Sequence, residues 1–230
     1  MATMIGTLQA IGVFLLGLVA RLGVLLLVMA VLASPALLWL GGRWAWRRIR
    51  PRVRGLRRAG HALYSPGARY AAGHTWVARE GGALKVGIDG VAQELLPWAL
   101  AVELPKPGAK LHEGDVAAIV SVGGQDARIA APVSGRVVRV NAEVERDPSL
   151  LKEDGYGRGW LFAVEPFDAR WSTLPAGEQA RTWLARESER LDRFLEERLG
   201  FAGLSARRGP APPPMPTADW DDLTRSFLHA

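Results

Sequence analysis

The side chains able to do chemistry in this chain are few and dispersed. Its four histidines, His61, His74, His112 and His229, form no pair at the spacings that place two imidazoles on one helix face or one strand face, so no metal site is expected. Cysteine is absent, which excludes disulfides, thiolate metal sites and cysteine nucleophiles. Nucleophile elbows, phosphate-binding loops and dinucleotide fingerprints are missing as well. No catalytic residue is assigned, and catalysis by this chain alone is not expected. The reactive groups left are the amines of Lys85, Lys106, Lys110 and Lys152, and a dense run of guanidinium groups at Arg43, Arg47, Arg48, Arg50, Arg52, Arg54, Arg57 and Arg58.

The arginine run takes its meaning from what precedes it. Residues 8–40 are almost wholly apolar, broken by Arg21 and a few small or polar residues, and roughly 20 apolar residues suffice to cross a bilayer. A single tilted helix centred on 22–40, kinked at Ser34-Pro35, fits better than two short spans, since no turn residues separate two halves at Arg21. Arginines just past the span orient it by the positive-inside rule, and Trp39, Trp44 and Trp46 fall where indole rings anchor in the headgroup region. These residues predict a single-pass protein of the inner membrane, N-terminus outside, with its soluble part in the cytoplasm. The formal net charge of +6 and pI near 10.3 invite a nucleic-acid reading. Because the basic excess is concentrated at 43–69, we read it as an orientation signal that attracts anionic lipid, with membrane lipid rather than nucleic acid as its partner.

From Tyr64 to Pro166 the chain alternates short β-branched runs with Gly and Pro punctuation, as in Ala83-Leu84-Lys85-Val86-Gly87-Ile88 and Gly135-Arg136-Val137-Val138-Arg139-Val140. This predicts a mainly β domain of short hairpins. Gly123-Gly124-Gln125-Asp126 reads as a hairpin turn, and Pro105, Pro107 and Gly108 as a connection. Glu143, Glu145, Arg146 and Asp147 read as a solvated loop, with Asp147-Pro148-Ser149 capping a short helix. Beyond Pro166 the period becomes helical through Trp183, Leu184, Glu187, Leu191, Phe194 and Leu195, with Gly200 as a stop. A proline-rich linker over 208–216 leads to an amphipathic tail, in which Trp220, Leu223, Phe227 and Leu228 share one face; this is either a docking peptide or a segment folded back on its own domain. The organisation expected is a transmembrane anchor at 1–42, a basic segment at 43–63, a β domain with its helix at 64–200, and linker plus tail at 201–230.

Several motifs of the β region carry a resemblance. His74-Thr75-Trp76-Val77, the stretch Val86-Gly87-Ile88-Asp89-Gly90-Val91-Ala92-Gln93, Val102-Glu103-Leu104-Pro105, Glu113-Gly114-Asp115, Ala131-Pro132-Val133-Ser134-Gly135 and Asp154-Gly155-Tyr156-Gly157-Arg158-Gly159-Trp160 follow one another in a fixed order. Together they resemble the H protein of the glycine cleavage system. The resemblance spans about residues 64–198 and implies a lipoyl-like barrel-sandwich hybrid with a C-terminal helix. In that family a lysine at a hairpin tip carries a lipoyl group as an amide, within Glu-Ser-Val-Lys. Here the matching residues are Val120-Ser121-Val122-Gly123, so lysine and acid are both absent. Thr75 replaces an acid, and Val91 a histidine, in stretches that help shelter the loaded arm in the family.

The resemblance therefore implies a divergent member with no cofactor, a vestigial lipoyl turn at Gly123, Gly124, Gln125 and Asp126, and a binding role as a membrane-held scaffold or regulatory subunit. Its protein partner would be related to the enzymes that engage H proteins. Two alternatives are a carrier lipoylated on one of the other lysines and a periplasmic adaptor with a lipoyl-like hairpin.

Overall fold

The computed structural model describes residues 55–96, 99–199 and 215–228, together with the isolated helical positions 21, 22, 25, 29, 34, 39 and 42. Most of the expected membrane segment, the basic residues Arg43, Arg47, Arg48, Arg50, Arg52 and Arg54 with Trp44 and Trp46, and most of the proline-rich linker lie outside the described residues. Among the described residues no helix is long and apolar enough to cross a membrane. The chain divides into two compact units, residues 1–50 and 51–230.

Short alternating segments build three antiparallel sheets in the larger unit. The hairpin β1 (Arg57–Ala59) and β2 (Ala62–Tyr64) stands alone. β3 (Arg69–Ala71), β4 (Thr75–Glu80) and β5 (Ala83–Ile88) begin a six-stranded sheet. Between β5 and the next strand lies the short helix α1 (Gly90–Leu95), whose cap residue Asp89 accepts hydrogen bonds from the Val91 and Ala92 backbone. β6 (Ala99–Glu103) then joins β8 (Val116–Val122) and β9 (Gln125–Ala130) in a three-stranded sheet of order β6-β8-β9. The six-stranded sheet is completed by β7 (Lys110–Leu111), β10 (Gly135–Val140) and β11 (Phe162–Pro166), in the order β3-β4-β5-β11-β10-β7.

One apolar core joins the two larger sheets: Val86, Ile88, Phe162 and Val164 come from one, and Val102, Val120 and Ile129 from the other. This is the sandwich that inward-facing β-branched residues dictate, since each sheet must bury its apolar face against another layer. The mainly β architecture and the hairpin turn agree with the alternation in the sequence.

Two local expectations are corrected. Glu143, Glu145 and Arg146 belong to a short helix, α2 (Ala142–Arg146), rather than a loop. Asn141 accepts the Glu143 backbone N–H, while Val144 buries the inner face. The next helix, α3 (Leu150–Glu153), opens where expected but without side-chain capping by Ser149, whose hydroxyl instead donates to Asp147 at 2.6 Å. The long helix α4 (Gly177–Leu199) follows a 3₁₀ turn and closes the domain with Ala180, Leu184, Leu191 and Leu195 buried. The tail forms a separate helix, α5 (Thr217–Phe227).

Candidate functional site

The hairpin β8–β9 is closed by a two-residue turn, Gly123-Gly124. Both glycines have positive φ, +59° and +84°, as a hairpin turn that follows the right-handed strand twist requires. Gln125 and Asp126 already lie in β9, paired with Val122 and Ser121, and the Ser121 hydroxyl donates to Asp126 Oδ1 at 2.6 Å. The turn keeps its geometry and offers no amine. Of the four lysines, Lys85 is ion-paired with Glu80 at 2.6 Å and lies over the Trp160 ring. Lys106, Lys110 and Lys152 are exposed elsewhere. Lys106 opens a tight turn, with the Ala109 backbone N–H donating to its carbonyl and Gly108 at φ +87°.

Beside the hairpin lies a buried ionic cluster centred on His74. This residue sits between β3 and β4 at φ +53°, the one non-glycine with positive φ among the described residues. Its Nδ1–H donates to Asp89 Oδ2 at 2.9 Å, and the Asp89 backbone N–H donates to the His74 carbonyl at 2.9 Å. Nε2 lies 3.5 Å from Glu187 Oε2 on α4, an ion-pair distance too long for a well-formed hydrogen bond. The imidazole stacks on Trp183, with centroids 5.1 Å apart. Burial alone would lower the histidine's pKa. The attraction of Asp89, reinforced by Glu187, outweighs burial and raises it to about 9, so the ring is an imidazolium at neutral pH. Asp89 thereby has two roles, capping α1 through Oδ1 and holding His74 through Oδ2.

The tail helix α5 covers both features. Trp220 Nε1 donates to the Asp126 carbonyl at 3.0 Å, and Gln125 Nε2 to the Met215 carbonyl at 3.2 Å. The Phe227 ring centroid is 5.9 Å from that of His74 and packs edge-on against Phe194. A methyl group at Gly73 would meet the Leu228 carbonyl at 3.1 Å, so a small residue is favoured there. Trp220, Leu223, Phe227 and Leu228 are all buried. Of the two alternatives for these four residues, the structure shows the tail folded back, its apolar face buried against the chain's own domain. A cavity of about 650 Å³ remains beside the turn, lined by Gly124, Gln125, Asp126, Arg128, Trp220 and Arg225.

Sequence reasoning placed the turn and the apolar face of the tail but missed the roles of Asp89, Glu187 and Trp183. Their shared partner His74 lies far from Glu187 in sequence, and no local spacing signals the cluster. Thr75, where the resembling family has an acid, is fully buried, and its hydroxyl lacks a hydrogen-bond partner. Of the orientation residues, Trp39 and the last two arginines of the run are described: Trp39 is helical and 62% exposed, and Arg57 and Arg58 open β1, both exposed.

The family model described as glycine cleavage H-protein matches residues 68–187. The glycine cleavage system H protein of Shewanella loihica is 44% identical over 101 residues, covering 44% of this chain and 78% of that protein. That of Thermus thermophilus is 38% identical over 99 residues, covering 43% and 77%. A crystal structure of a glycine cleavage system H protein from Mycobacterium marinum overlays with a TM-score of 0.44 at 32% identity, over 46% of this chain and 88% of that one. The matched segment runs from β3 into α4 and holds the sandwich, the hairpin and His74: the chain belongs to the glycine cleavage H-protein family.

Proposed function

We propose that this chain is a membrane-tethered H-protein homologue that bears no lipoyl group and acts by binding, as a scaffold or regulatory subunit that holds a protein partner at the cytoplasmic face of the inner membrane. The observation that carries this reading is the Gly123-Gly124 turn. It keeps the hairpin of the family while lacking any group that can form the amide, and its flank is covered by a helix from outside the family-matched segment. An H protein without its arm retains only surface, so its contribution is recognition.

The tether rests on the apolar run at 8–40, the arginines after it, and exposed apolar groups in the smaller unit. Leu22, Leu25 and Met29 are helical there and 51%, 58% and 59% exposed, an arrangement suited to lipid rather than water. A second reading, a carrier modified elsewhere, draws support from Lys106, which is exposed and opens a tight turn as a modifying enzyme would require.

Alkaline extraction of native membranes, protease protection of a tag after Ala230, and purification in mild detergent test the proposal together. The expected result is a chain that resists extraction, a tag cleaved only from the cytoplasmic side, and a stoichiometric protein partner. A chain released by alkali, or a tag cleaved only from outside, would overturn the tether as drawn. Purification of the chain alone would overturn the scaffold role.

A further inference from the structure

Helix α5 lies outside the family-matched segment and is joined to α4 by residues 200–216, which include Pro210, Pro212, Pro213, Pro214 and Pro216. It therefore docks as an added element. Its seat has three parts. Trp220 and Met215 are tied to the start of β9, an edge strand of the three-stranded sheet whose outer hydrogen-bonding groups would otherwise be open. Phe227 and Leu228 lie over His74 and Gly73. Arginines two turns apart on α4 hold the two ends: Arg198 pairs with Asp219 at 2.9 Å and Asp222 at 3.0 Å, while Arg190 covers the Phe227 ring at 4.3 Å and donates to the Ser226 carbonyl.

Arg190 also pairs with Glu187 at 2.6 Å, and Glu187 faces His74, which holds the α1 cap Asp89. A continuous chain of charged contacts thus runs from the end of the tail into the buried centre of the domain. The arginines are about half exposed, so their pairs are easily broken. A helix of 11 residues is marginal on its own, and the burial of its apolar face is opposed by the ordering of the segment.

We propose that α5 is a releasable latch on this face. When it undocks, the groove between β9 and α4 accepts a partner's amphipathic helix of the same chemistry, with acids in its first turn, a Trp and a Leu one turn apart, and a Phe-Leu pair at its end. The tail is the resident ligand of the groove, and the partner competes with it. This rests on the reading of the chain as a binding protein and assigns the surface used.

The test uses the full-length chain in mild detergent and a fluorescent peptide with the sequence of residues 215–230. In the intact chain the tethered tail outcompetes added peptide, because linkage gives it a high effective concentration. Phe227→Ala in the tail leaves every groove residue unchanged, and it is expected to tighten peptide binding at least tenfold. A peptide carrying the same change is expected not to bind. Arg198→Glu weakens the seat from the groove side, and a peptide with Asp219→Lys and Asp222→Lys is expected to bind that variant better than the unaltered peptide does.

Failure of the Phe227→Ala chain to bind peptide, while amide exchange reports a loosened tail, would overturn the latch. So would loss of cooperative unfolding in that variant, since the tail would then be an inseparable part of the core. Neither readout involves lipoylation or the membrane, so the latch and the tether stand or fall independently.

Discussion

His74 and Asp89 hold each other twice in the core of this domain, the imidazole donating to the carboxylate at 2.9 Å while the Asp89 backbone N–H donates to the His74 carbonyl at the same distance. The pair joins the β3–β4 turn to the first turn of α1, and with Glu187 it fastens α4 as well. Stability of the domain is expected to follow the charge of this one ring.

With its pKa raised from 6.5 to about 9, the imidazolium contributes stability that is complete below about pH 6.5 and is lost as pH rises through 9. The difference corresponds to something on the order of 3 kcal/mol. Glu187, held below its usual range by the His74 and Arg190 cations beside it, adds stability present above about pH 4.5 and lost as pH falls through its lowered pKa. Thermal melts from pH 3 to 10 are expected to show a plateau with a decline on both sides, and the alkaline decline is expected to vanish when His74 is replaced.

Replacing His74 by Ala leaves Asp89 as a buried acid without its cation, at a cost of about 3–5 kcal/mol, while Glu187 keeps Arg190. His74→Asn is expected to cost clearly less, because Asn tolerates positive φ and its amide can still donate to Asp89. Urea titration of the two variants checks this; equal destabilisation by Asn and Ala would contradict a role for the positive φ and the hydrogen bond to Asp89.

Gly123→Lys restores an amine at the turn. Positive φ at this position costs the new side chain about 1–2 kcal/mol. On coexpression with a lipoate ligase, intact mass is expected to show a lipoyl increment in the variant and none in the parent chain. Absence of modification in a folded variant would mean that the surroundings of the turn, and not the missing amine alone, exclude the enzyme.

Gly87 lies opposite Trp76 in the β4–β5 register, and a Cβ there would fall 2.6–2.8 Å from the indole ring. Gly87→Ala is therefore expected to destabilise by about 1–3 kcal/mol through overpacking. Equal stability of variant and parent in urea would contradict the packing described for Trp76.

The hairpins were legible because apolar and polar residues alternate in short runs and Gly-Gly leaves few options but a tight turn. The helix Ala142–Arg146 was not, since five residues give too short a period to separate it from a polar loop. Spacing showed that Trp220, Leu223 and Phe227 share a face. It carried no information on what that face covers, because the groove is assembled from β9 and α4, which are distant in sequence. The ionic cluster was hidden for the same reason: His74, Asp89 and Glu187 are ordinary residues until the sandwich brings them within 3.5 Å.

Whether this H-protein homologue works without a lipoyl arm, as proposed, is decided by its mass. Intact mass of the protein purified from its native membrane tests it most directly. The mass of the unmodified polypeptide is expected. A lipoyl increment, mapped by digestion to Lys106 or another lysine, would contradict it and make the chain a carrier.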